Sequence, residues 1–127
     1  MAPGRNTLNK AERLSQKRSV DVLYAKGQSF VAYPLRVVYL FTDEPQAVRA
    51  AFLVVVPKKR LHRAVKRNRV KRQVREAYRL RKSALLSGLE EKGRSLWIAF
   101  HYLEKELRPS ADMNKAMDKA MKILSER

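Results

Sequence analysis

The chain has no cysteine, a single tryptophan, two histidines and few acids for its length. Each shortage removes a class of protein. Without cysteine there can be no disulfide and no thiolate zinc site, and the composition suits a reducing, cytoplasmic setting. No apolar run approaches the roughly 20 residues that cross a bilayer. The opening MAPGRNTLNKAERL has no apolar signal core, so no secretion signal is expected. His62 and His101 lie far apart with no metal-ligand spacing near either, and no phosphate-cradling or dinucleotide glycine pattern occurs. The serines have no evident base partner, and the acid pairs Asp43–Glu44 and Glu90–Glu91 fall in expected turns. No catalytic or metal-binding constellation emerges, and the protein alone is not expected to be a nuclease.

Cations are in excess. Lysine and arginine number 29 against 12 acids, which gives a net charge of +17 and a pI near 10.7. Self-repulsion of this size opposes a compact state and points to a polyanionic partner. Hydrophobic residues are 45% of the 127, enough for one folded domain with a modest core. Cytosolic nucleic acid is the favoured partner, and an anionic membrane surface is the weaker alternative.

The chain reads as a single domain over 1–127, with 1–13 a flexible basic arm. Ser15 and Gly27 bracket a short helix over 16–26, on which Val20, Leu23 and Tyr24 share an edge. SFVAYPLRVVYLF (29–41) is rich in β-branched and aromatic residues, and Pro34 divides it into a short edge piece and a strand over 35–41. Alternation puts Leu35, Val37, Tyr39 and Phe41 on one face and Arg36, Val38 and Leu40 on the other. After a turn at 42–46, a second strand over 47–56 is expected to complete a hairpin, and its FLVVV run suggests burial on both faces. Ser87–Arg94 reads as a loop, SLWIAFHY (95–102) as the last strand, and 111–125 as a final helix with Ala116, Met117, Ala120, Met121 and Leu124 inward. Strands 47–56 and 95–102, joined through a long helix, should lie side by side and parallel. The fold class is therefore α/β, a compact α-β sandwich of order α-β-β(-β)-α-β-α.

That long helix carries the dominant signal. Residues 57–82, PKKRLHRAVKRNRVKRQVREAYRLRK, hold thirteen basic residues against Glu76 alone. A helix from about Arg63 to Lys82, extendable to Leu86, places Val70, Val74, Ala77 and Tyr78 within an arc of about 100°, the width of a core-facing stripe. Asn68, Lys71, Arg72, Arg75, Arg79 and Lys82 occupy the adjoining arc. Arg67 and Arg81 fall on the apolar side, where their stems can lie on the core with the charge at its rim. Arginine offers a planar fork to phosphate, and Asn68 can donate and accept at a base edge or ribose. Phe30, Tyr33, Tyr39 and Tyr24 are candidates either for stacking on unpaired bases or for the core.

The run Lys66–Tyr78, KRNRVKRQVREAY, resembles the signature helix of the bacterial ribonuclease P protein component. Val55-Val56-Pro57-Lys58-Lys59 resembles that family's strand end and lysine pair, Val20 to Gly27 its first helix, and the similarity spans about residues 14–124. The resemblance implies the protein subunit of a ribozyme that removes the 5′ leader of precursor tRNA, with the chemistry carried by RNA and magnesium and no cofactor on the protein alone. It implies that Lys58, Lys59, Lys66, Arg67, Asn68, Arg69, Lys71, Arg72 and Arg75 meet the catalytic RNA, and that Val20, Tyr24, Leu35 and Val38 line a cleft for the leader. It further implies a cytoplasmic protein, monomeric without RNA and with no membrane partner. The implied fold is ribosomal protein S5 domain 2-like, with an unusual left-handed β-α-β crossover. This chain has Val20 where the family commonly has phenylalanine, Leu61 where glycine is usual and His101 where a basic residue is common. A structural ribosomal RNA-binding protein or an RNA chaperone is the alternative function.

Overall fold

The segment SLWIAFHY is apolar at both alternations of a strand, and such a strand belongs inside a sheet. In the computed structural model, which describes residues 12–43 and 48–127, this segment is the inner strand β4 (Ser95–Tyr102). The other strands are β1 (Gln28–Ala32), β2 (Leu35–Thr42) and β3 (Ala50–Val55), in the order β1-β2-β4-β3. The helices are α1 (Lys17–Lys26), α2 (Ala64–Lys92) and α3 (Ser110–Glu126). β1 and β2 form an antiparallel hairpin around Tyr33-Pro34, and β2 runs antiparallel to β4. β3 and β4 are parallel, as expected, with Phe52 opposite Ile98.

The expected hairpin between 35–41 and 47–56 does not form, because β4 lies between the two strands. Sequence adjacency yields here to burial. Leu53, Val54 and Val55 are only half-buried, so β3 suits an edge and not the doubly covered interior that FLVVV suggested.

Alternation assigns the two faces of the sheet. Leu35, Val37 and Tyr39, Phe52, and Leu96, Ile98, Phe100 and Tyr102 form the main core with Val70, Val74, Ala77 and Tyr78 of α2 and Met113, Met117 and Leu124 of α3. Phe52, Tyr78 and Phe100 meet ring to ring, with Phe52 and Tyr78 centroids 4.7 Å apart. On the opposite face, Leu23 of α1 packs with Val38 and Ala99. Fully burying one such side chain stabilises by roughly 1.5–3 kcal/mol, so the α2 stripe alone outweighs its modest helix propensity.

Three helix ends differ from expectation for physical reasons. The α1 cap is Gln16, without a side-chain cap bond, and not Ser15. Gly27 follows α1 with an ordinary extended backbone; its hydrogen is needed because a Cβ there would meet the carbonyl oxygens of Leu23 at 2.4 Å and Tyr39 at 2.9 Å. α2 runs on through the expected loop at 87–94 to Lys92. Gly88 costs about 1 kcal/mol within a helix, less than is gained by burying Leu85 and Leu89 on the same stripe. The helix stops at Gly93, whose φ of 65° lets Gly93 and Arg94 donate back to the carbonyls of Glu90 and Leu89.

The expected flexible arm 1–13 falls mostly on residues that the structure does not describe. Residues 1–11 lie outside the described residues, but Glu12 and Arg13 belong to the fold. Arg13 bridges Phe52 in parallel, and the Leu14 N–H donates to the Phe52 carbonyl at 2.7 Å. Lys82, assigned by periodicity to the anion-facing arc, is instead 2% exposed and donates to both oxygens of Glu12 at 2.9 and 3.0 Å. Removing one partner of a buried pair strands the other charge. Glu12→Ala should therefore lower stability by about 3–5 kcal/mol in urea denaturation, with Glu12→Leu/Lys82→Met recovering much of it. An unchanged urea midpoint for Glu12→Ala would show that the pair does not hold the segment.

A second polar cluster ties the β1–β2 turn to the entry of α3. The Tyr33 hydroxyl donates to Glu104, which also accepts from the Lys105 N–H at 2.9 Å and Arg108 at 3.0 Å. These bonds, the tyrosine's first, hold the Glu104 carboxyl at about 2 against an ordinary 4.5. A depressed carboxyl contributes stability above its unfolded pKa and loses it as pH falls through the folded one. The stability gap between the native protein and Glu104→Gln should thus be full at neutral pH and close between about 4.5 and 2. A pH series of urea midpoints reads this directly, and a gap constant across that window would contradict it.

Candidate nucleic-acid interface

The stripe that docks α2 also sorts its cations. On the core side, Arg67 donates to the carbonyls of Leu61 at 2.9 Å and His62 at 2.6 Å, and Arg81 to Asp118 at 2.5 Å and Asn114 at 3.1 Å. Arg79 pairs with Glu76, and Lys82 with Glu12. The second half of α2 is therefore largely neutralised by its surroundings. The first half is not. Lys66, Arg69, Lys71, Arg72 and Arg75 have no acid within ion-pair distance among the described residues, and neither do Lys58 and Lys59. Asn68 is exposed among them. No acid stands in the first turn, so the positive end of the helix dipole adds to the same field. Burial, and next the Arg13 charge, push the Arg75 pKa down, which marks a guanidinium that lacks a counter-ion.

The loop before α2 is held rigidly. Arg60 donates to the Leu103 carbonyl at 2.5 Å, Arg67 holds the other end, and Leu61 is 4% exposed in the core. Leucine at this position thus plugs the core where glycine is usual in the resembled family. The anchoring leaves Lys58 and Lys59 exposed at the bend.

A cleft of about 420 Å³ opens between α1, the sheet and this loop. Val38, Arg36 and His101 form its floor, with Arg36 directly opposite His101 across the β2–β4 ladder. Tyr24 forms one wall, and Pro57, Lys59 and Arg60 the other. Tyr24 and His101 meet edge to face at 5.5 Å, and the tyrosine oxygen is 2.6 Å from His101 Nε2. Burial, and then Arg36, push the His101 pKa down, while burial pushes that of Tyr24 up. At neutral pH the pair is therefore uncharged, and Arg36 and Lys59 supply the positive charge.

Of the four residues assigned to the cleft, Tyr24 and Val38 line it, and Val20 is half-buried on α1 outside the lining. Leu35 does not belong there. It is fully buried in the main core on the other face of the sheet, since its alternation is opposite to that of Val38. The matching floor position is Arg36, which the same alternation could have found. Of the candidate stacking aromatics, Tyr39 is buried with its hydroxyl donating to Gln28, Phe30 packs on the core, and Tyr33 is engaged by Glu104 and Arg108. Tyr24 remains 43% exposed in the cleft. Among the described residues, no three histidine or acidic side chains cluster to hold a metal ion, and no helix is long and apolar enough to cross a membrane.

The fold is shared with known proteins. The structure resembles the RNase P protein of Staphylococcus aureus, with a TM-score of 0.69 at 24% identity over 90% of this chain and 95% of that one. It also resembles the RNase P protein of Thermotoga maritima, with a TM-score of 0.58 at 20% identity over 91% and 97%. In sequence, the ribonuclease P protein component of Porphyromonas gingivalis strain ATCC 33277 is 44% identical over 120 residues, covering 94% of this chain and 88% of that protein. That of Chlorobium phaeobacteroides is 35% identical over 89 residues, covering 68% and 61%. The Ribonuclease P family profile matches residues 8–124, and the chain belongs to that family of RNA-binding, tRNA-processing ribonuclease components.

Proposed function

We propose that this protein is the RNA-binding subunit of a ribonuclease P whose bond cleavage is carried by its RNA and by magnesium held in that RNA. The first half of α2, with Lys58 and Lys59, meets the catalytic RNA, and the cleft beside it takes the single-stranded 5′ leader of precursor tRNA. The observation that carries this reading is a set of cations with no acid partner among the described residues, Lys58 and Lys59 on the loop before α2 and Lys66, Arg69, Lys71, Arg72 and Arg75 on its first half, beside a cleft with an exposed tyrosine. Arginine forks bind phosphate oxygens in pairs, and an aromatic ring flanked by cations suits an unpaired nucleotide. No side chain is assigned a bond-breaking role. The protein contributes charge, orientation and leader affinity, acting in the cytoplasm as a monomer until it meets RNA.

Adding the protein to a bacterial ribonuclease P RNA at physiological salt and low magnesium should raise the rate of precursor tRNA cleavage. A protein that binds the RNA without changing cleavage would instead fit a structural RNA-binding protein or chaperone. In the assembled enzyme, Tyr24→Ala should cost precursor tRNA on the order of 1–3 kcal/mol of affinity if a leader base stacks on the ring, and leave mature tRNA unaffected. Equal losses for both substrates would remove the leader from the cleft.

A further inference from the structure

We propose that Glu12–Leu14 extends the RNA-binding face beyond α2, with the buried Glu12–Lys82 pair as anchor and Arg13 set beside Arg75 as a two-guanidinium clamp for one RNA phosphate. This rests on the reading of α2 as the RNA-binding helix. The segment follows the outer edge of β3, fixed by the Arg13–Phe52 bridge and by the Leu14 N–H on the Phe52 carbonyl at 2.7 Å. Beneath it the Phe52 ring packs on Tyr78, which places the segment against the part of α2 that carries Arg75 and Lys82. Glu12 is 6% exposed and bound to Lys82, whereas Arg13, the next residue, is exposed.

The Arg13 charge reaches Arg75 and disfavours its charged form, and Arg75 is half-buried besides. Neither guanidinium has an acid within ion-pair distance among the described residues, and residues 1–11 contain no aspartate or glutamate that could supply one. Two like charges held together by a buried anchor oppose the free fold, and an anion shared between them offsets that repulsion. Phosphate fits, because each guanidinium presents parallel N–H donors to its oxygens. Lys71, one turn before Arg75 on the same flank, extends the field along the strand.

The test is the salt dependence of binding to a bacterial ribonuclease P RNA transcribed in vitro. Arg13→Ala should weaken binding several-fold, and Arg13→Ala/Arg75→Ala should make the slope of log affinity against log salt shallower by about one unit, the change expected for one lost phosphate contact. Arg69→Ala serves as the comparison. If Arg69→Ala changes the slope and Arg13→Ala/Arg75→Ala does not, the clamp is wrong and the α2 reading stands. If neither changes it, the α2 reading fails and the clamp with it. Glu12→Ala should forfeit the Arg13 contribution, so that adding Arg13→Ala to it changes little; full additivity would overturn the anchoring role. Should Glu12→Ala fail to fold, Arg13→Ala/Arg75→Ala still decides whether the clamp exists.

Discussion

The fold depends on one docking contact, the burial of Val70, Val74, Ala77 and Tyr78 against Phe52 and Phe100. This stripe admits only one rotation of α2 about its axis, and that rotation decides what each cation meets. Arg81 faces α3, Lys82 faces the segment at Glu12, and Arg67 turns back onto the loop before the helix. Rotating the helix by one residue would move each cation by 100° and bury a different set of charges, at a cost of several kcal/mol per unpaired ion. Apolar packing thus fixes the electrostatic surface, although it contributes no charge to it.

The consequence is a helix with two electrical halves. Past Arg75 nearly every cation has a carboxylate or carbonyl partner; before it, most cations have no acid within ion-pair distance among the described residues. Such asymmetry is unfavourable to folding at a net charge of +17. It persists because the neutralised half, with Leu85 and Leu89, supplies much of the packing while the charged half lies over less of the core. One long element can then be both a structural member and the RNA-facing surface proposed above, because the two duties would occupy different turns.

How far this was legible follows from the range of each signal. The stripe on α2 and the Met-lined face of α3 rest on local periodicity, which a sequence shows directly, and the parallel pairing follows from the order strand, long helix, strand. The Glu12–Lys82 pair joins residues seventy positions apart, and no local pattern distinguishes Lys82 from its solvated neighbours. The placement of β4 between β2 and β3 is a global choice among strands that all look apolar. Leu35 is different: alternation along 35–41 already put it opposite Val38, and family resemblance overrode a residue-level reading that was correct. The extension of α2 through Gly88 was missed by treating a glycine as a stop, when the leucines around it continued the stripe to Leu89.

The departures from the family pattern make sense together. Leu61 fills the core at the bend before α2, and that bend is clamped by Arg60 and Arg67, so Lys59 is carried on a fixed wall of the cleft. His101 brings no charge at neutral pH, but it meets Tyr24 at 2.6 Å across the cleft floor and restricts that ring. Arg36, its partner across the ladder, places a positive charge beside it on the same floor. Val20 lies outside the cleft lining, so the departure at that position leaves the cleft itself untouched, and Tyr24, tethered by His101, is the tyrosine that lines it. A tethered tyrosine beside the charges of Arg36, Lys59 and Arg60 is the arrangement that the proposed single-stranded leader would need, a ring to stack on and cations for its phosphates.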